Sequence, residues 1–308
     1  MLQVTVLGAA AGGGLPQWNC SCLVCKSART HSESAQTQSS IAVSSDNSNW
    51  VLINASPDLR QQFLATKKLH PQSTPRHSPL NAVVLTNADV DHVAGLLSLR
   101  EQQRFSLYAT KRVLNILEKN SIFNVLNTQF VERKPFLLNE EQEIRNGLGK
   151  STGIYIQPFT IPGKIALWLE DPLLKNFGSL PEDTIGLAIR TKDSQKRLIY
   201  LPGCAEINDE IISIFRETDT VLFDGTTFSE NELIEAGVSE KTASRMGHIP
   251  MGGEHGSVSQ LSKVNVNRKI YIHINNTNPV LLKDSIERAF IYENGWELAF
   301  DGMEIEID

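Results

Sequence analysis

A four-layer α/β sandwich, with two β-sheets inside and helices outside, is the fold this sequence predicts. Short apolar runs bounded by Gly, Pro, Asn and Asp recur along the chain, as buried strands do. In part of the chain they alternate with segments of helical spacing. From about residue 120 to 190 the runs are extended and β-branched, which adds a second sheet. The 308 residues, 41% hydrophobic and 21% charged, exclude a disordered, collagenous or coiled-coil chain. With no repeat, low-complexity tract or separating linker, residues 1–308 read as one domain.

The elements follow in order. Leu2–Leu7 is a first strand that runs into the glycine-rich loop Gly8–Gly14. Ser32–Ser48 is polar and reads as a loop plus a strand. Trp50–Asn54 and Ala82–Thr86 are buried strands, each followed by a helical stretch. Val93, Leu96 and Leu97 place a helix over His92–Arg100. Ile154–Ile161, Ile165–Leu169 and Thr184–Thr191 supply the second sheet. Three more strands are expected at Arg197–Leu201, Thr220–Asp224 and Ile270–Ile274. Trp296–Phe300, a turn at Asp301-Gly302 and Glu304–Ile307 close the fold.

Twenty-nine basic against 35 acidic residues leave a net charge of −6, with no general attraction to phosphate backbones or anionic lipid. Nucleic acid is therefore not an expected partner. No stretch approaches the ~18 apolar residues that cross a bilayer, so membrane insertion is not expected either. Met1–Leu7 lacks a basic start and reads as a strand rather than a secretion leader. Four cysteines, three of them within six residues, do not make a secreted disulfide framework. The expected location is the reducing cytoplasm.

Cys20, Cys22 and Cys25 place three thiols in the loop after the glycine-rich turn. Thiolates this close suit one tetrahedral soft cation, and the segment from about 12 to 32 is expected to be a loop pinned by structural Zn²⁺. The competing reading is three incidental thiols. The fourth ligand is open between His31, Cys204 and the His273–Asn276 stretch. Three thiolates with a fourth protein ligand leave no open position for catalysis.

The strand Ala82–Thr86 ends in Asn87-Ala88-Asp89-Val90-Asp91-His92. Asn87, Asp89 and Asp91 alternate, so their side chains are expected to converge where His92 opens a helix. One reading is a helix cap with acids at its positive end. A calcium loop is excluded, because its glycine and glutamate positions hold His92 and Ser98. The reading preferred here is a catalytic transition-metal site on a strand-to-helix turn. Among the remaining histidines, His31, His70 and His77 are expected at the surface, and His255 is an undecided loop residue. Asp224 ends a strand and is equally consistent with turn chemistry.

A buried strand that ends in an acidic, histidine-bearing turn resembles the metallo-β-lactamase superfamily, whose turn reads His-x-His-x-Asp-His. The resemblance spans the whole chain. Three strings are more specific: Ala10-Ala11-Gly12-Gly13-Gly14-Leu15-Pro16-Gln17-Trp18-Asn19-Cys20, Gly247-His248-Ile249-Pro250-Met251-Gly252-Gly253, and His273-Ile274-Asn275-Asn276-Thr277-Asn278-Pro279. Together they resemble the pyrroloquinoline quinone (PQQ) biosynthesis protein B family.

The departures from the superfamily pattern bear on the metal. Asn87 and Asp89 replace two histidines of the first of two usual zinc sites. No histidine lies between His92 and His248, and Cys204 stands where the bridging aspartate belongs. The resemblance retains the second site: Asp91, His92 and His273. Two imidazoles and one carboxylate match the set that holds non-haem Fe²⁺ with open positions. His248 is expected to act as an acid or base, or as a fourth ligand. Asp89 would orient a ligand histidine or touch the metal, and Asn87, Asn276 and Cys204 would lie just behind the ligands.

What the resemblance implies is work on the glutamate–tyrosine precursor of PQQ, a small molecule or short peptide, alongside other proteins of that pathway. The surviving ligand set makes the expected chemistry hydroxylation of the tyrosine-derived ring with Fe²⁺ and O₂. A carrier of PQQ or its precursor and a one-zinc hydrolase are the rival expectations.

Overall fold

The computed structural model describes residues 1–216 and 218–308, with Lys175 described by its backbone. Among them, fourteen strands build two seven-stranded sheets. They are β1 (Leu2–Gly8), β2 (Ser40–Ser44), β3 (Trp50–Ile53), β4 (Leu80–Val84), β5 (Phe105–Ala109), β6 (Val131–Pro135) and β7 (Gln142–Arg145). There follow β8 (Ser151–Thr160), β9 (Ile185–Thr191), β10 (Leu198–Leu201), β11 (Thr220–Asp224), β12 (Arg268–Ile272), β13 (Trp296–Leu298) and β14 (Glu304–Ile307). The first sheet runs β14-β1-β2-β3-β4-β5-β6 and the second β13-β12-β11-β10-β9-β8-β7.

Strand periodicity decides the layers. Val4 and Val6, Val51 and Ile53, and Ala82 and Val84 meet Leu222, Ile270 and Ile272 in one core between the sheets. The alternate residues Trp50, Leu52 and Val83 face outward. There they are covered by Leu59 of the helix Leu59–Ala65 and by Val113, Leu114 and Leu117 of the helix Lys111–Lys119. On the second sheet, Val221, Phe223 and Tyr271 point outward beneath Ile211, Phe215 and Ile291 of two further helices. Tyr271 and Trp296 stack there with ring centroids 4.1 Å apart. The four layers expected from the sequence are present.

The strands nearest the site are parallel, β3 to β6 in one sheet and β10 to β13 in the other. Their C-terminal ends open on one edge, where α/β sheets place ligands.

Three expected elements differ. Ile165–Leu169 is not a strand; it belongs to a segment, residues 162–182, that lies over the turn after β4. Two of its amides go to side chains, Ile165 N to Ser179 Oγ at 2.9 Å and Leu167 N to Asp89 Oδ1 at 3.0 Å, and Leu169 N closes a 3₁₀ turn on Ala166 O at 2.8 Å. The helix expected over His92–Arg100 is one α-turn, Val90–Val93, followed by 3₁₀ turns over Ala94–Leu99. Close approach explains the tightening. Gly95 N donates to Ala55 O at 2.9 Å, and a Cβ on Gly95 would stand 2.1 Å from Ser56 O. The strand drawn as Ile270–Ile274 ends at Ile272. His273 leaves it with φ +61°, a left-handed backbone that a histidine adopts only under constraint.

Candidate metal centre

Three chain segments meet at that edge: the turn after β4, the end of β11 with its following loop, and the residues after β12. The first brings Asp91 and His92. His92 O accepts from Ala55 N at 2.8 Å, which fixes the turn against the end of β3. The third brings His273, held by Ile274 N donating to Ala9 O at 2.9 Å and Thr226 Oγ1 3.1 Å from His273 O. The glycine-rich loop completes one wall, since a Cβ on Gly12 would lie 3.4 Å from Asp91 Oδ2.

Asp91, His92 and His273 come together, their ligand atoms within 4.8 Å of one another. His273 Nε2 lies 3.1 Å and His92 Nε2 3.8 Å from Asp91 Oδ2. The tautomers follow from the partners. His92 Nδ1 is 2.8 Å from Asn87 Oδ1, an acceptor that fixes the proton on Nδ1. The lone pair is then on Nε2, which is buried and has no partner. Burial also pushes His92 down to about 4, so the ring is neutral. A buried, unprotonated nitrogen aimed at a carboxylate and a second imidazole fits a bound cation.

Asp91 and His273 agree with this. Burial raises Asp91, yet the hydrogen bond and the charge of His273 oppose it, and the carboxyl is held well below its ordinary range. Burial lowers His273, yet Asp91 outweighs it and raises the ring. A proton held between them is the one that a metal ion would displace.

His248 stands beside this triad, its ring 5.4 Å from that of His273. Thr242 Oγ1 accepts from Arg245 N at 3.2 Å to open a one-turn helix, Ala243–Met246, and left-handed Gly247 closes it. His248 follows directly. Its Nδ1 is 2.7 Å from Asp224 Oδ2, which leaves Nε2 free to exchange a proton in the cavity. Thr226 ties the assembly together: its hydroxyl lies 2.7 Å from Asp224 Oδ1, 3.0 Å from His248 Nδ1 and 2.9 Å from His273 Nδ1. Asp224, His248 and His273 also cluster closely enough for a metal, but the hydroxyl of Thr226 already fills the space between them.

Thr226 was not legible from local spacing, because its partners are 22 and 47 residues away. Removing it is a sharp test of positioning. Thr226→Val is expected to weaken metal binding or activity 10–100-fold, about the range for groups that orient ligand histidines. Thr226→Ser restores it. Metal competition titration checks both, and an unchanged affinity in the valine variant refutes the role.

Other expected neighbours are placed differently. The alternating side chains Asn87, Asp89 and Asp91 line one cavity but take different partners. Asn87 serves His92, whereas Asp89 Oδ1 accepts from Leu167 N, so orienting the ligand histidine falls to Asn87. Burial, with Asp91 nearby, pushes Asp89 up to about 6. The Cys204 thiol turns away toward Glu206 O at 3.2 Å, and only its backbone N reaches Asp224 Oδ2, at 2.9 Å. Asn276 does not lie behind His273 but on the cysteine cluster.

There, Cys20, Cys22 and Cys25 gather their sulfurs within 4.8 Å. Asn276 Nδ2 is 3.2 Å from Cys25 Sγ, and Cys22 Sγ is 3.4 Å from Asn276 O. His31 is exposed and faces Glu33 at 3.7 Å, away from the thiols. Cys204 is also elsewhere. Of the three expected sources of a fourth ligand, the structure brings only the His273–Asn276 stretch to the cluster. Four of four cysteines are free thiols.

Glu232, unremarked in the sequence, braces the same loop. Its carboxylate accepts from Thr277 Oγ1 and Phe228 N, both at 2.6 Å. Burial nevertheless pushes it from 4.5 up to about 7. A carboxyl raised on folding keeps its proton in the native state while the unfolded chain loses it. Stability is thus expected to fall as pH rises from about 4.5 to 7, by on the order of 3 kcal/mol at most. Denaturation across that window checks it, with Glu232→Gln flattening the curve.

Comparison with known proteins decides the family. Residues 49–274 match the beta-lactamase superfamily domain. "Coenzyme PQQ synthesis protein B" of Methylorubrum extorquens is 47% identical over 308 residues, 99% of this chain and 100% of that protein. Its namesake in Xanthomonas oryzae is 46% identical over the same shares. The chain belongs to the PQQ synthesis protein B family. The crystal structure of Zn²⁺-bound PqqB from Methylobacterium extorquens superimposes with a TM-score of 0.93 at 46% identity, covering 99% of this chain and 100% of that one. The metallo-β-lactamase fold of the family is thereby that of this chain. No helix among the described residues is long and apolar enough to cross a membrane.

Proposed function

We propose that this member of the PQQ synthesis protein B family is an iron- and O₂-dependent hydroxylase of the tyrosine-derived ring in the glutamate–tyrosine precursor. The observation that carries the reading is the two-histidine, one-carboxylate cluster Asp91, His92 and His273, beside which the neighbouring group Asp224, His248 and His273 is already bridged by the Thr226 hydroxyl. Asn87 and Asp89, which replace superfamily ligands, are both committed to other partners. A hydroxide bridged between two zinc ions, on which two-metal hydrolysis depends, has no second anchor here. Asp91, His92 and His273 would hold Fe²⁺, which when bound supplies one-electron chemistry toward O₂.

The residues around it do the rest. Asn87 and Thr226 fix the two rings so that Nε2 of each faces the same point. His248 Nε2 takes or returns a proton at the substrate, while Asp224 holds its Nδ1–H. In balance, one oxygen atom of O₂ replaces a ring hydrogen as hydroxyl. The other leaves as water, with two electrons and two protons from an external reductant.

Residues 1–308 act as one domain in this reading, and the loop of about 12–32 carries a structural Zn²⁺ on Cys20, Cys22 and Cys25 with an Asn276 oxygen nearby. The Zn²⁺ of the crystallised relative supports zinc as one of the family's metals. The reduced thiols suit the cytoplasm.

Mass spectrometry of the precursor after incubation with Fe²⁺-loaded protein and ascorbate, with and without O₂, tests the assignment. Oxygen-dependent gain of oxygen, absent with Zn²⁺-loaded protein, supports the hydroxylase. Oxygen-independent cleavage by the zinc form would establish the hydrolase instead. Tight binding of PQQ without any turnover would establish the carrier.

A further inference from the structure

The metal site lies at the floor of a cavity of about 230 Å³. Asp89 and Asp91 make part of its lining acidic, and Lys164 and Lys241 line it as well, Lys164 near enough to Asp89 to favour its carboxylate. Lys164 comes from the 162–182 segment and Lys241 from just before the short helix that delivers His248.

Their partners differ. Lys164 Nζ lies 2.5 Å from Glu170 Oε1 and 3.3 Å from Arg245 O. Glu170 is shared: Arg245 Nη2 reaches its other oxygen at 2.8 Å, and the guanidinium lies 4.0 Å from the centroid of the Phe177 ring. Glu170 thus serves two cations, and Asp89 is a further carboxyl near Lys164. Lys164 Nζ uses two of its three donors on Glu170 and Arg245 O, and the third remains. Lys241 is half-buried in the cavity wall, and among the described residues no acidic side chain pairs with it. A cation lining a cavity without a counter-ion is well placed to receive an anion.

We infer that Lys241, assisted by Lys164, binds a carboxylate of the substrate, holding its other end toward the metal site and His248. This rests on the proposed function for the direction in which the substrate lies, but the anion site itself does not require turnover. The ligand class is a small amino-acid-derived carboxylate whose reactive part extends from the lysines toward the metal site. A neutral molecule of the same shape would leave the Lys241 ammonium desolvated without a counter-ion.

The distinguishing experiment is anaerobic titration calorimetry on the metal-loaded, full-length protein. The probes are the cross-linked glutamate–tyrosine amino acid and its fully amidated derivative. Wild type is expected to bind the acid at least about tenfold more tightly than the amide, as charge-assisted hydrogen bonds imply. Lys241→Gln should erase most of that preference and Lys241→Arg should keep it. Lys164→Gln is a weaker test, because it also frees Glu170. A wild type without acid preference overturns the inference. So does a preference that survives in Lys241→Gln. Retained acid preference with no oxygen-dependent product would sink the hydroxylase while leaving this site standing.

Discussion

Asp91→Ala is expected to lose the active-site iron and to reduce oxygen-dependent turnover by at least about a hundredfold, while the zinc of the cysteine cluster stays bound. The carboxylate is the group that both imidazoles share, 3.1 Å from His273 Nε2 and 3.8 Å from His92 Nε2. Without it, two neutral nitrogens face each other with no charge to balance a divalent ion. Asp91→Asn keeps the shape but offers a neutral oxygen, so it should fall between alanine and wild type in iron affinity. Gly12 packs against this side chain, and the alanine variant relieves rather than creates crowding there. The fold should therefore persist, and circular dichroism is the control. Elemental analysis with the turnover assay decides the matter. Full iron and full activity in Asp91→Ala would remove the triad from consideration.

Much of this arrangement was legible in the sequence, and the reasons are local. β11 and β14 fall where the apolar runs place them, Thr220–Asp224 and Glu304–Ile307. Buried strands carry their periodicity in consecutive residues. The acidic turn was visible because a strand, a bend and a histidine stand within a dozen positions. What escaped depends on contacts between distant segments. Ile165–Leu169 has the composition of a strand, yet two of its amides are answered by Ser179 and Asp89, and its neighbours form a cover instead. Alternation places Asn87, Asp89 and Asp91 on one cavity but does not show their partners, His92 for Asn87 and the distant Leu167 N for Asp89. Asp224 read equally as turn chemistry until its oxygens were seen to hold both Thr226 and His248. Glu170 and Arg245, 75 residues apart, gave no signal at all.

The second large effect is expected at the cysteines. Cys25→Ser should release one equivalent of zinc and lower Tm by roughly 5 °C or more, since a lost metal clip typically costs several kcal/mol. Its consequence should also reach the active site. Asn276 contacts Cys22 and Cys25, and three residues earlier the same chain segment supplies His273 in a left-handed backbone. Ala10 and Ala11, at the start of the glycine-rich loop, bridge to Ile274 within that segment. The cysteine loop and His273 thus share one piece of backbone. Releasing the thiols frees its far end, and His273 then keeps only Thr226, Asp91 and the backbone bonds of Ile274 to Ala9 and Ala11. Iron affinity should fall about tenfold in Cys25→Ser, although Asp91, His92 and His273 are all unchanged. Cys204→Ser is the matched control, because that buried thiol bonds only to Glu206 O. It should alter neither metal. If Cys25→Ser retained full iron affinity after losing its zinc, the segment would be rigid on its own, and the cysteines would serve stability alone.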